Sequence, residues 1–119
     1  MQDFRGLRVW QKAHEVVLAI YGASGTFPAS ELHGLTSQIR RASVSIPSNI
    51  AEGCGRGTNA ELAQFAQIAM GSASEVEYQL LLAQDLGFLD ANTYSKLNAD
   101  LLEVKKMLNV FIQRVRETK

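Results

Sequence analysis

This sequence predicts an all-α fold, an up-down antiparallel four-helix bundle whose second helix is kinked at a proline. Three observations carry that expectation. Apolar residues recur at intervals of three and four through four separate stretches of the 119 residues, the period of one buried helix face. Glycine, proline and capping residues divide those stretches, leaving connections short enough to join antiparallel neighbours. No stretch alternates apolar and polar residues as a half-buried strand does. A single domain over residues 1–119 is expected, since a chain of this length encloses one core but not two.

Phe4 and Leu7 precede the first helix, and Gly6 allows them to fold back onto the bundle. From about Leu7 to Tyr21, the residues Trp10, Ala13, Val17, Ile20 and Tyr21 recur at helical spacing. Gly22 and Gly25 weaken and end this element. Phe27-Pro28 then demands an extended entry, because the residue before proline avoids the helical region. Ser30 is the expected N-cap of a second helix running from about Glu31 through Gly53. Its stripe of Leu35, Ile39, Ala42, Ile46 and Ile50 keeps its phase across Pro47, which favours one kinked helix over two short ones. Pro47 removes a backbone donor and crowds the Ser43 carbonyl, a defect costing about 3 kcal/mol in an ordinary helix interior. Ser43 and Ser45 stand close enough to rearrange the local hydrogen bonds.

The alternating glycines of Gly53-Cys54-Gly55-Arg56-Gly57 end the second helix. Thr58 and Glu61 form a capping box that opens the third. Its stripe is Leu62, Phe65, Ala69, Ser72, Val76, Gln79, Ala83 and Leu86, widened by Ile68, Leu80 and Leu82. So broad an arc implies burial on more than one side. Tyr78, Leu81 and Leu82 exceed what one bundle face requires, which is the local argument for self-association. Gly71, among Ala69, Ser72 and Ala73, is expected to be a packing notch. At the far end, Gly87 suits the left-handed C′ position and Phe88 folds back toward Leu82 or Ala83. Asp90 caps the last helix, with Leu89 and Tyr94 at the two staple positions. Tyr94, Leu97, Leu101, Val104, Leu108, Phe111 and Val115 carry its stripe, and Arg114, Arg116 and Lys119 complement the dipole at its carboxyl end.

Composition narrows the function classes. Apolar residues make up 46% and charged residues 20%, which is globular rather than disordered. No apolar run is long enough for a membrane span, and the first residues lack the apolar core of a secretory signal. Cys54 is the only cysteine, so no intrachain disulfide forms and a reducing cytoplasm is the simplest compartment. His14 and His33 are far apart with no zinc-ligand spacing, and Glu61, Glu75 and Glu103 do not form the Glu-x-x-His pattern of a di-iron bundle. No metal or cofactor is expected. Ser37, Ser43, Ser45 and Ser72 have no identifiable histidine partner, so no catalytic residue is assigned and the chain is read as non-enzymatic.

The formal charge is zero overall but uneven: residues 1–57 carry a net +2, residues 58–95 a net −5 without a single cation, and residues 96–119 a net +3. That distribution suits complementarity between helices or subunits. Two constellations stand out within it. Arg8, Lys12, Arg40, Arg41 and Arg56 are the candidate contacts for nucleic acid or a protein partner, should the first helix lie near the glycine turn. Arg41, Ser45, Asn49 and Glu52 recur every three or four residues as a polar file. The file either recognises a phosphate or partner, or satisfies polar groups within or between subunits; the structural use is the more economical. The glycine turn could offer backbone donors to an anion, although it lacks the lysine and spacing of a nucleotide loop. Cys54, beside glycines and Arg56, would have a lowered thiol pKa if exposed.

The run Phe4-Arg5-Gly6-Leu7-Arg8-Val9-Trp10-Gln11-Lys12-Ala13, the runs Leu35-Thr36-Ser37-Gln38-Ile39-Arg40-Arg41-Ala42 and Ser45-Ile46-Pro47-Ser48-Asn49-Ile50-Ala51-Glu52-Gly53, and Ala69-Met70-Gly71-Ser72 with Glu75 together resemble the bacterial four-helix-bundle family of 23S rRNA intervening-sequence proteins. Gly53-Cys54-Gly55-Arg56 matches that family's glycine-and-arginine turn, with cysteine where an aromatic or other residue is expected. The resemblance covers nearly the whole chain. It implies an up-down four-helix bundle, self-association, with a homopentamer as the stoichiometry of some members, and no enzymatic reaction. Related accessory proteins of diversity-generating retroelements associate with a reverse transcriptase and bind nucleic acid through a basic surface. The near-zero net charge here departs from those relatives. The leading expectation is therefore a cytoplasmic, homo-oligomeric binding or assembly module. The alternative is an RNA- or DNA-associated adaptor for ribosomal RNA or a reverse transcriptase.

Overall fold

Helix α2, Leu35–Cys54, runs unbroken through Pro47 in the computed structural model, which describes residues 3–118. The other long elements are α1 (Arg8–Ser24), α3 (Asn59–Asp85) and α4 (Ala91–Glu117), with 3-10 turns at Phe4–Gly6 and Ala29–Glu31. No strand occurs among the described residues. Each helix packs on its two sequence neighbours, α4 closes back on α1, and the diagonal pairs do not meet. This is the square up-down bundle that short connections dictate.

Pro47 is accommodated by its neighbours. It has no N–H to offer the Ser43 carbonyl. Around it, Ser43 Oγ donates to the Arg40 carbonyl at 2.9 Å, and Asn49 Nδ2 donates to the Ser45 carbonyl at 2.8 Å. Ile46 and Ile50, one on each side of the proline, are fully buried. The stripe therefore holds its phase and the helix holds together.

The chain departs from expectation at several ends. α1 continues to Ser24, beyond Tyr21, because Gly22 lies on the open side of the helix with nothing near its missing Cβ. Ser30 caps nothing. It sits in a 3-10 turn, and α2 starts four residues later than expected, where Glu31 Oε1 accepts from the Leu35 N–H at 3.0 Å in place of an N-cap side chain. Phe27 is buried and packs on Phe88 with ring centroids 5.7 Å apart, which joins the α1–α2 connection to the α3–α4 turn. Phe4, Leu7 and Trp10 lie against the core as expected, Phe4 meeting Trp10 edge-on at 4.9 Å.

The remaining caps follow the residue chemistry. Thr58 Oγ1 accepts from the Glu61 N–H at 3.2 Å, and Glu61 reaches back to the Thr58 hydroxyl. Gly87, at φ +80°, takes the left-handed position after α3. Phe88 N–H donates to the Ala83 carbonyl at 2.8 Å and Gly87 N–H to that of Gln84 at 2.9 Å, completing a Schellman motif. Asp90 Oδ1 accepts from the Thr93 N–H at 2.7 Å, and that bond holds its carboxyl below the usual aspartate range. Arg114 and Arg116 stand in the last turn of α4; Lys119 lies outside the described residues.

Helix α3 is rotated from its expected register. Its buried side is Leu62, Ala63, Ala66, Ala69, Ala73, Val76, Gln79, Leu80 and Ala83, while Phe65 and Ser72 are only partly covered. Leu86, expected in the stripe, is 53% exposed, since it follows the last helical residue. Alanines form most of this seam. Gly71 is no notch within the chain: it faces outward, with nothing near its missing Cβ. The close approach belongs to Gly53, where a Cβ would stand 2.9 Å from Leu62 Cδ1 and 3.0 Å from Phe65 Cβ.

Candidate functional site

Ser45 projects from the middle of α2 toward α3, where its hydroxyl lies 2.8 Å from that of Ser72. Asn49, one turn further along α2, donates to Ser45 Oγ at 2.9 Å. The Ser45 hydroxyl can accept from Asn49 while its own proton goes to Ser72, giving a three-residue polar bridge between the helices. Above it opens a groove of about 480 Å³ lined by His33, Ser37, Arg41, Ser45, Ser72 and Glu75 among others. Glu75 Oε2 accepts from Gln79 Nε2 at 3.1 Å; Gln79 is 4% exposed and its Oε1 has no partner. The groove holds both signs of charge and no acid, base and nucleophile in mutual contact.

The polar file thus divides into parts. Ser45 and Asn49 satisfy each other and α3. Arg41 is exposed at the groove and forms no ion pair among the described residues. Glu52 turns instead to Arg56, at 3.2 Å. Removing the bridge hydroxyl by Ser45→Ala is expected to destabilise by about 1–2 kcal/mol, because Ser72 and Asn49 each lose a partner. A double-mutant cycle with Ser72→Ala, read by urea denaturation, should give a total below the sum of the single changes. Additive costs would show the two hydroxyls to be independent.

The five candidate cations do not converge. Arg40 and Arg56 are separated by about 24 Å along α2 at 1.5 Å per residue. Arg40 serves α1: its Nε donates to Ser24 Oγ at 2.8 Å, its Nη2 donates to the Tyr21 carbonyl at 3.2 Å, and its guanidinium lies over the Tyr21 ring. This caps carbonyls left open at the carboxyl end of α1. Lys12 donates to Asp100 at 3.2 Å and ties α1 to α4. Arg56 lies over Phe65 with Glu52 at 3.2 Å and Glu61 at 3.9 Å. Arg8 is exposed and lines a different groove, between the start of α1 and the second half of α4, with Lys106 and Arg114. Those two cations escaped sequence reading because roughly a hundred residues separate them from Arg8, and no local pattern joins them.

The glycine turn is not built to receive an anion. The Gly55 N–H already donates to the Ala51 and Glu52 carbonyls, the Arg56 N–H to that of Gly53, and two carboxylates flank the arginine. Cys54 is buried, and burial pushes its thiol pKa up, with Asp3 adding to the rise. The lowered value conditional on exposure does not apply. His14 stacks on Trp10 at 5.0 Å, and no group of three His, Cys, Asp or Glu among the described residues could hold a metal ion. No helix among them is long and apolar enough to cross a membrane.

A square antiparallel four-helix bundle, with its cations spent on helix ends and helix pairs and its distinguishing features on outer surfaces, defines a helical-bundle module. The sequence profile of the 23S rRNA-intervening sequence proteins matches residues 5–110, and the chain belongs to that family. Among solved structures it is similar to a protein of unknown function from the S23 ribosomal protein family of Bacteroides thetaiotaomicron, with a TM-score of 0.82 and 26% identity, covering 88% of this chain and 95% of that one. No curated protein matches it significantly.

Proposed function

We propose that this protein is a non-enzymatic, homo-oligomeric bundle that works in the cytoplasm as a binding or assembly module. The observation that carries this reading is the outer face of α3. Although the helix buries its inner side, it leaves Ile68 47%, Tyr78 61% and Leu81 44% exposed. Leu82 is partly covered by the chain's own core. Large apolar side chains on one outward arc are the mark of a surface covered in an assembly. Five copies are the stoichiometry that the resemblance to ring-forming relatives implies. Size-exclusion chromatography with light scattering at tens of micromolar should give a discrete oligomer; a monodisperse monomer would defeat the reading.

A second reading, an adaptor for ribosomal RNA, DNA or a reverse transcriptase, is supported by the family resemblance and by the exposed Arg41 beside His33 in the α2–α3 groove. Binding to structured RNA and to DNA should then weaken with salt, and charge reversal of Arg41 and Arg8 should reduce both the affinity and its salt slope. Reversal of Lys12, Arg40 or Arg56 would also disturb the contacts these residues make within the bundle. Absence of binding at low salt would remove this reading.

A further inference from the structure

We infer that the outer face of α3 docks onto a second copy of this chain, in the groove between α1 and α4, and that the contact joins two different surfaces. The inference rests on the assembly reading above and says which surfaces meet. The groove has a volume of about 460 Å³ and an apolar floor that includes Leu7, Val110 and Phe111. Val110 is 45% exposed there. Around that floor stand Arg8, Lys106 and Arg114 against a single carboxylate, Glu103. None of the three cations forms an ion pair among the described residues.

The α3 face is the complement in shape and in sign. Its apolar ridge from Ile68 to Leu81 is about 20 Å long, and the α4 wall of the groove from Glu103 to Arg114 about 17 Å, at 1.5 Å per residue. No cation occurs anywhere in residues 58–95. Of the α3 carboxylates, Glu77 is engaged with Lys105 at 2.6 Å and Glu61 lies near Arg56 at 3.9 Å. Glu75 and Asp85 are exposed on the helix without a cationic partner among the described residues. An acidic apolar ridge entering a cationic apolar groove brings opposite charges to the rim and apolar side chains to the centre. Two α3 faces meeting each other would instead place like charges together.

Because α3 lies diagonally across the bundle from α1, ridge and groove belong to different surfaces of one chain. Their contact is heterologous, so each copy offers a ridge to one neighbour and a groove to another. Growth then stops only when a ring closes.

The test uses the full chain and two double variants at exposed positions, Lys106→Glu with Arg114→Glu in the groove and Glu75→Lys with Asp85→Lys on the ridge. Circular dichroism first establishes that each retains its helix content. In light scattering and sedimentation velocity, each variant alone should dissociate, with its apparent dissociation constant raised about tenfold or more. An equimolar mixture should reassociate, since the acidic groove of one accepts the basic ridge of the other. A monomeric wild type would overturn the assembly reading and this inference with it. A wild-type oligomer whose size survives both sets of changes would overturn the interface alone. Dissociation without recovery on mixing would refute the pairing of these two surfaces. An unchanged oligomer in which only the groove variant loses structured RNA at low salt would assign the groove to nucleic acid instead.

Discussion

Ile46→Ala is expected to destabilise the protein by about 2–5 kcal/mol, a large share of the roughly 5–15 kcal/mol that holds a domain of this size together. Ile46 is 0% exposed and directly precedes Pro47 in α2. Truncation removes three carbons from the centre of the bundle and leaves a cavity that neighbouring helices, spaced by larger residues, fill only in part. Val44, two residues earlier, is 36% exposed. Val44→Ala should therefore change stability by no more than about 0.5 kcal/mol. Urea denaturation followed by circular dichroism, at one fixed protomer concentration, compares the two. Equal costs would mean that the α2 stripe does not hold its phase up to the proline.

Gly53→Val should cost about 3 kcal/mol, and Gly53→Ala on the order of 1 kcal/mol. Two effects oppose each other at this site. Gly53 lies inside the last turn of α2, where alanine is intrinsically favoured over glycine by about 1 kcal/mol. Against that, the new Cβ would stand 2.9 Å from Leu62 Cδ1, 3.0 Å from Phe65 Cβ and 3.3 Å from Leu62 Cα. The Leu62 terminal carbon can swing aside, but Phe65 Cβ and Leu62 Cα move only with α3 itself. Overpacking of about 1–3 kcal/mol thus outweighs the propensity gain. Valine adds two more carbons to the same gap. Thermal unfolding measures the series, and a Gly53→Ala protein more stable than wild type would show that α2 and α3 can separate at no cost.

These two positions also mark where sequence reading worked and where it stopped. The stripe through Ile46 and Ile50 is legible because periodicity is a property of one segment, and it predicted the continuous α2 despite Pro47. In α3 the same method settled on Phe65, Ser72 and Leu86, whereas the seam is Ala63, Ala66, Ala69 and Ala73. Alanine is a weak apolar signal, and only the approach of α2 and α4 selects which of several small residues is covered. Gly71 and Gly53 look alike as letters. One meets nothing and the other meets a neighbouring helix, because the second depends on a contact between residues distant in the chain.

The candidate cations teach the same lesson from the electrostatic side. Arg40 and Arg41 are adjacent in sequence, yet Arg40 closes the end of α1 while Arg41 stands free at the α2–α3 groove. Arg8 gains Lys106 and Arg114 as neighbours from the opposite end of the chain. A charge count shows that α3 is acidic, but not which cations each carboxylate meets.

By itself the sequence determined the number of helices, most of their caps and the phase of α1, α2 and α4. Each is set by interactions within about four residues, the reach of a helical turn. The tertiary structure alone decided the rotation of α3, the close approach at Gly53, the dispersal of the basic residues and the exposed acidic ridge. These depend on which side chains the packing of helices brings within contact distance, and that is a property of the assembled bundle rather than of any one segment.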